Sequence, residues 1–571
     1  MKNLFKCIAF FISFFSISKS SFSQDITTYP QSYFRNPLDI PIQLVSNFGE
    51  LRPNHFHMGL DIRTQSCENL PVYAAANGYI SRIKIEKGGY GNAIYITHPN
   101  GYTTLYAHLN SFFPALNDYI KKKQYDEQNW EQDFELPANL FPVKKGQLIA
   151  LSGSTGASGG PHLHFEIRDT KTGNNLNPQL FGFNIPDNRA PIIKGLYWYD
   201  RRYSTYVGSE KAIPITKKNP IYTSTAKVVK VNSPLVSFGI STEDLCNASA
   251  FNLGVYSIEL FMDDSLCNAF RLNNFSYTGT RYVNACIDYS KLIKEKRYVQ
   301  YLAVLPGNKL NIFTPTSTNG VVILTDTMQH TINIIVKDAY KNTVQLKFNI
   351  QLSDSLHSNL FPPNAKPLLP NQQNIVNGNN VKVIFSANAF YDVVPFVLNE
   401  IVASGSSVAS ELAMLHNNTV PVHDSFTVQL KTTLAANDPL RNKVVMQLIS
   451  GANKYIAKDG WAEDWMTARF NKLGKVQLLI DTVPPTIVPV GWKSNASLAK
   501  AKALVLRGND NLHELGNFRA ELDGRWLLFA KRGNNFIYTF DEYCSKGIHT
   551  LKVSLTDFAG NVTNETYTFT R

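Results

Sequence analysis

Between residues 40 and 170, apolar and polar positions alternate in short runs, the period of two expected of half-buried strands. Val72-Tyr73-Ala74, Tyr79 to Ile85, Ala93 to Thr97, Thr103 to Ala107, Gln147 to Ser152 and His162 to Arg168 read as strands. Turns rich in Gly, Asn and Pro separate them, among them Gly88-Gly89-Tyr90-Gly91-Asn92 and Pro99-Asn100-Gly101. Such even spacing predicts an all-β region, an antiparallel β-sheet or barrel. An insertion at 110–142 interrupts it. Its polar and aromatic stretch Asp118 to Glu135 has room for a short helix and the length of a lid or binding loop.

The remainder of the chain repeats itself. His330-Thr331-Ile332-Asn333-Ile334-Ile335-Val336-Lys337-Asp338 leads to Asn342, and His549-Thr550-Leu551-Lys552-Val553-Ser554-Leu555-Thr556-Asp557 leads to Asn561. Leu253-Gly254 and Glu259-Leu260 recur as Leu515-Gly516 and Glu521-Leu522, and the opening Asp187 to Pro191 recurs as Asp481 to Pro485. A strand, a D-x-x-x-N turn and a second strand, used twice, predict two β-sandwich modules, at 187–352 and 481–571. The Asp-to-Asn spacing suits a tight turn whose side chains bond the backbone. These modules resemble bacterial immunoglobulin-like domains. Between them, 353–379 is rich in Pro, Asn and Ser and reads as a linker, and 380–480 as a middle β module.

With 571 residues, 12% aromatic and 18% charged, the chain is a string of roughly three to five folded domains rather than a disordered polymer. Residues 1–23 read as a signal peptide: Lys2 and Lys6, an apolar run from Ile8 to Ile17, then Ser21-Phe22-Ser23. Cys7 precedes that run, so it is not placed for lipidation. Export to the periplasm, the outer membrane or the exterior is expected, with no transmembrane span in the mature chain. Loss of Lys2, Lys6 and Lys19 lowers the net charge from +12 to +9, still suited to anionic cell-envelope polymers. The mature cysteines Cys67, Cys246, Cys267, Cys286 and Cys544 include no CxxC. One pair among Cys246, Cys267 and Cys286 is close enough in sequence to bond. No phosphate loop, dinucleotide fingerprint or nucleic-acid module is present.

Of twelve histidines, six fall between positions 55 and 164. On a strand, His162, His164 and Glu166 share one face while Leu163 and Phe165 take the other. His57 and Asp61, separated by three residues around Gly59, can close on one metal, with His164 completing the set. Two imidazoles and a carboxylate with a fourth place open make a hydrolytic rather than a structural zinc site. His162 and His108 stand on the same side and can orient a water, take its proton or stabilise an oxyanion. Glu166 is expected to support a ligand or a neighbouring turn, Asn92 to be structural, and Tyr106 to pack. His55 and His98 read as surface or satisfied core residues. Gly156 to Gly160 spells G-x-S-x-G around Ser158, but the segment that follows alternates like a strand, whereas a nucleophile elbow needs a helix. His513-Glu514 begins H-E-x-x-H, but Asn517 stands where the second histidine would.

Six motifs fall in order. H-x-G-x-D spans His57 to Asp61, P-V-Y-A-A-A-N-G starts at Pro71, and G-Y-G-N starts at Gly89. Y-A-H-L starts at Tyr106, K-K-G-Q-L-I-A-L-S-G-S-T-G at Lys144, and G-P-H-L-H-F-E-I at Gly160. From Phe48 to Arg168 the chain resembles the M23 family of zinc metallopeptidases, the lysostaphin type of peptidoglycan endopeptidase. The resemblance implies a catalytic domain at 24–186, Zn2+ held by His57, Asp61 and His164, and His108 and His162 as non-ligand catalytic histidines. It further implies cleavage of peptide cross-links in peptidoglycan, with the C-terminal β modules as spacers or envelope-binding units. A non-catalytic regulator or adhesin on the same fold, and a secreted protease acting on other proteins, remain the alternatives.

Overall fold

The alternation at His162 is realised as an eight-residue strand, His162–Asp169, at the centre of an antiparallel sheet. Leu163, Phe165 and Ile167 are fully buried on its apolar face, each such side chain worth about 1.5–3 kcal/mol. In spatial order the sheet runs Leu44–Ser46, Leu60–Arg63, His162–Asp169, Tyr102–Ala107, Asn92–Thr97, Gly78–Ile85 and Gln132–Glu135. A smaller sheet of Pro71–Tyr73, Leu148–Ser152 and Leu109–Phe112 packs with it over a core of Val72, Ile80, Ile94, Tyr106, Leu109 and Phe165. The protein was analysed as a computed structural model that describes residues 29–571 apart from 219, 248 and 354–360. The expected signal segment lies outside the described residues.

The insertion is not a free loop. Its helix, Pro114–Glu127, begins on a proline, whose missing N–H costs nothing at a helix start. Gln132–Glu135 then pairs with Arg82 to Ile85 and extends the sheet at one edge, with three strands between it and His162–Asp169. The helix is gripped by the C-terminal module. Tyr125 stacks on Tyr543 at 3.6 Å between ring centroids, and Lys121 Nζ lies 2.6 Å from Asp541 Oδ2.

After the sheet that carries His162–Asp169 come stacked antiparallel sheets. Ile192–Asp200 and Leu235–Leu245 form one layer, and Ser257–Met262, Gln329–Lys337 and Thr343–Leu352 the layer facing it across Phe238, Ile240, Leu260, Ile334 and Leu346. The core of these layers also takes in Phe48 and Phe56, and Phe48 stacks on Phe275 at 4.5 Å. The segment just before His57 is therefore anchored in the neighbouring module.

A further pair of sheets encloses Val383, Phe385, Phe426, Val428, Leu448 and Val476. Its strands reach back to Lys366–Leu368 and Asn374–Asn377, with Leu368 fully buried. The stretch expected to be a linker is thus folded from Lys366 onward, because its few apolar side chains find a core that composition does not reveal. The last sheets, built on Ala503–Asn509, Leu515–Leu522, Ile548–Asp557 and Val562–Thr570, enclose Leu504, Leu506, Leu551 and Val553. Cys246 Sγ donates to the Pro186 carbonyl and Cys267 Sγ to the Ser265 carbonyl, while Asn308 Nδ2 donates to Cys286 Sγ, so none of the three is drawn into the expected disulfide.

Candidate metal centre

Pairing of Leu60–Arg63 with His162–Asp169 sets Asp61 directly opposite His164. On the other side of the same strand, His164 faces Ala107, so His108 arrives at the end of Tyr102–Ala107. His57 reaches the same point by a sharp turn through Gly59. A Cβ there would lie 2.3 Å from the Phe165 carbonyl oxygen, so only glycine lets the turn press onto that strand. His108 itself takes a left-handed backbone with φ of 59°, a strain of about 1–3 kcal/mol that aims its ring inward.

Three acceptor atoms converge there. His57 Nε2 lies 3.0 Å from Asp61 Oδ1 and 3.0 Å from His164 Nδ1, and His164 Nδ1 lies 2.8 Å from Asp61 Oδ1. The outer nitrogens fix the tautomers. His57 Nδ1 donates to the Asn47 carbonyl at 2.8 Å, leaving a lone pair on Nε2. His164 Nε2 donates to Glu166 Oε1 at 2.9 Å, leaving a lone pair on Nδ1. Two lone pairs and a carboxylate oxygen aimed at one another attract a cation. Tetrahedral zinc with bonds of about 2.0–2.2 Å would hold such donors about 3.3 Å apart, so these residues fit it with a few tenths of an ångström of expansion.

The surroundings support positive charge. Glu166, fully buried, is pushed up by burial, but Arg168, His164 and Tyr90 outweigh this and bring its carboxyl down to about 2. It accepts from Tyr90 Oη at 2.7 Å, Arg168 Nε at 2.7 Å and Asn175 Nδ2 at 2.6 Å. Burial likewise opposes the ionised form of Asp61, yet His57, His162 and His164 hold its carboxyl well below the usual range. Burial pushes His57 down to about 4. Burial also works against the charged form of His164, but Asp61 and Glu166 raise it to about 9.

His162 and His108 line the same space, with ring centroids 4.6 Å apart. His162 Nε2 is 3.5 Å from Asp61 Oδ1, and its Nδ1 donates to the Gly160 carbonyl at 2.8 Å. His108 Nδ1 donates to the Thr155 carbonyl at 2.8 Å, and burial holds the ring down to about 3. Each outer nitrogen is thereby spent on a backbone carbonyl. Among the other histidines, His98 bonds the Asn77 carbonyl and Thr104, and His55 bonds the Pro53 carbonyl. Tyr106 Oη accepts from the Ala75 N–H inside the core, and the Ser158 hydroxyl donates to the Gly160 carbonyl.

Several residues gave no signal in sequence. Arg52 Nη2 lies 2.6 Å from Asp61 Oδ2, and Asn47 holds the carbonyl that orients His57. Asn47 is pinned in turn by Gly254 of the neighbouring module, accepting from its N–H and donating to its carbonyl, both at 2.8 Å.

Residues 55–125 and 141–178 match the model of Peptidase family M23, and 365–481 match that of a Zu5-like domain. The DD-carboxypeptidase/endopeptidase Mpg of Neisseria meningitidis is 38% identical over 131 residues, 23% of this chain and 24% of that protein. The chain thus spans about a quarter of the length of such curated relatives. A zinc-containing peptidase from Vibrio cholerae matches at 27% identity with a TM-score of 0.19, covering 26% of this chain and 39% of that one. Lipoprotein NlpD of Yersinia enterocolitica is 36% identical over 108 residues, 19% of this chain but 84% of that protein. By these motifs and this coverage, the chain belongs to peptidase family M23.

Proposed function

We propose that this protein is an exported zinc-dependent endopeptidase that hydrolyses peptide cross-links of peptidoglycan. The observation that carries the reading is the convergence of three ligand atoms, His57 Nε2, Asp61 Oδ1 and His164 Nδ1, beside the rings of His108 and His162. His57, Asp61 and His164 would hold the zinc, whose presence supplies Lewis acidity and a water acidic enough to ionise near neutral pH. His108, neutral and with its Nε2 lone pair exposed to the pocket, accepts a proton. His162, held by Gly160 at Nδ1, donates from Nε2 to the oxyanion that develops on the scissile carbonyl once that nitrogen has taken up a proton. Glu166 and Asn47 fix the ligand tautomers, so that little reorganisation accompanies the reaction.

The relatives support the substrate: ShyB of Vibrio cholerae, 32% identical over 145 residues, is a peptidoglycan DD-endopeptidase. The residues after 187 would form β modules that space the catalytic domain or bind envelope polymers, with the basic balance of the chain favouring anionic ones. The test is mass spectrometry of muropeptides released from isolated murein by zinc-loaded wild type and His164→Ala. Release by wild type and none by the variant is expected. Intact murein with both would favour a non-catalytic role, and digestion of protein substrates alone would favour a general protease.

A further inference from the structure

Outside the metal pocket, chemistry converges at two other places. Asp187, Asp244 and Asp338 bring carboxylate oxygens within 4.8 Å of one another, and so do Asp481, Asp510 and Asp557. The triplets are copies. In each, one aspartate opens the segment leading into a module, and a second lies at the end of a core strand, Leu235–Leu245 or Ala503–Asn509. The third begins the repeated D-x-x-x-N turn. The asparagine closes both copies alike. Asn342 Nδ2 donates to Asp338 Oδ2 at 2.7 Å and to the Asp187 carbonyl at 3.3 Å. Asn561 Nδ2 donates to Asp557 Oδ2 at 2.7 Å and to the Asp481 carbonyl at 3.0 Å.

A cluster of acids alone would say little, since turns accumulate them. Here the middle aspartate adds an independent sign. Asp244, 2% exposed, leaves Oδ1 with no hydrogen-bond partner, and Asp510, 9% exposed, leaves its Oδ1 in the same state. A buried, unmatched carboxylate oxygen facing two more carboxylates is costly, and evolution could remove it with one asparagine. Among the described residues, none of the six aspartates has an ion-pair partner. Arg189 donates its backbone N–H to Asp187 while its charge acts on Asp187 and Asp244 from beyond ion-pair distance, and Lys443 is spent on the Gly560 carbonyl. Burial, then Asp338 and Asp187, push Asp244 up to about 7; burial, then Asp481 and Asp557, raise Asp510.

We propose that each triplet is a binding site for a hard divalent cation, calcium by its chemistry, built twice where a β module meets the module before it. The donors are oxygen only, with no imidazole or thiolate to favour zinc. Calcium bonds of 2.3–2.6 Å place opposite oxygens up to about 5 Å apart, which accommodates the observed span. Each site also lies at a junction. Tyr340, within the first D-x-x-x-N turn, packs on the core of the catalytic sheet. Ala559, in the second turn, packs with Leu512 against Val445, Ile456 and Leu479 of the preceding module. A bound ion would tie the lead-in segment to the turn and stiffen both joints.

The experiment uses the full-length, zinc-loaded protein at pH 8, freed of calcium and titrated with CaCl2 by calorimetry. Two equivalents per chain are expected, with Kd of about 0.1–1 mM as in extracellular modules. Asp244→Asn and Asp510→Asn should each lose one equivalent, and the double variant both. Thermal unfolding supplies a sign test that does not depend on activity. Without calcium, Asp244→Asn should unfold at a higher temperature than wild type, because it removes repulsion. In 5 mM CaCl2 the order should invert. Less than one equivalent taken up by wild type, or the same order of unfolding in both buffers, would overturn the proposal.

Discussion

The metal pocket and the two aspartate triplets solve the same electrostatic problem with different atoms. In each, buried and part-buried acceptors converge with too few protons among them. In the pocket two of the three donors are imidazole nitrogens whose outer N–H groups are committed to Asn47 and Glu166, so their lone pairs are fixed in direction. In the triplets every donor is a carboxylate oxygen with more than one lone-pair direction. Directional nitrogen at bond lengths near 2 Å suits a small borderline ion, and diffuse oxygen suits a larger hard one. Beside the pocket stand two histidines able to move protons. Among the described residues, no histidine stands with either triplet, which separates the proposed catalytic centre from the proposed fastening.

The comparison breaks most completely through its ligands. His164→Ala should reduce muropeptide release to background and abolish zinc uptake, yet retain two calcium equivalents. The Asp244→Asn, Asp510→Asn double variant should do the reverse, as zinc analysis and calcium calorimetry together would show. His108→Ala comes next: zinc stays stoichiometric while kcat falls by about 10²- to 10⁴-fold, measured on murein or a cross-linked peptide. Glu166→Gln removes the negative charge of the acceptor that fixes the His164 tautomer, and should weaken zinc affinity by about 10- to 100-fold in competition with a chromogenic chelator.

The smallest effect is one of pH. Asp244, at about 7, faces Asp187 and Arg189 on the lead-in segment and Asp338 on the turn. Its folded pKa lies above the ordinary aspartate value, so the calcium-free protein gains stability from this group at low pH and loses it as pH rises through 7. Calcium competes with that proton, so first-site affinity should fall by about tenfold from pH 8 to pH 6.

Much of this was legible beforehand because its physics is local. The alternation from His162 to Glu166 states which side chains share a face, and Gly59 between His57 and Asp61 states that the chain turns sharply there. The repeat of His330 to Asn342 at His549 to Asn561 states that two strand-turn-strand units are alike. Where the signal is not local, the sequence was silent or misleading. Arg52, Asn47 and Gly254 belong to no pattern, and Lys366 to Asn377 lacks the apolar density that would mark a strand. Asp244 and Asp510 sit in unremarkable strand ends, and nothing in their neighbourhoods announces that two more aspartates will meet them.

By itself, then, the order of residues determined which strands form, which faces they bury and which side chains are equipped to hold a metal, since these follow from backbone periodicity and the chemistry of single groups. Tertiary structure alone decided that Gly254 steadies Asn47, that the C-terminal module grips the helix Pro114–Glu127, and that six scattered aspartates gather as two triplets. Those outcomes depend on distances between residues far apart in the chain. Such distances are set only when every core is packed at once.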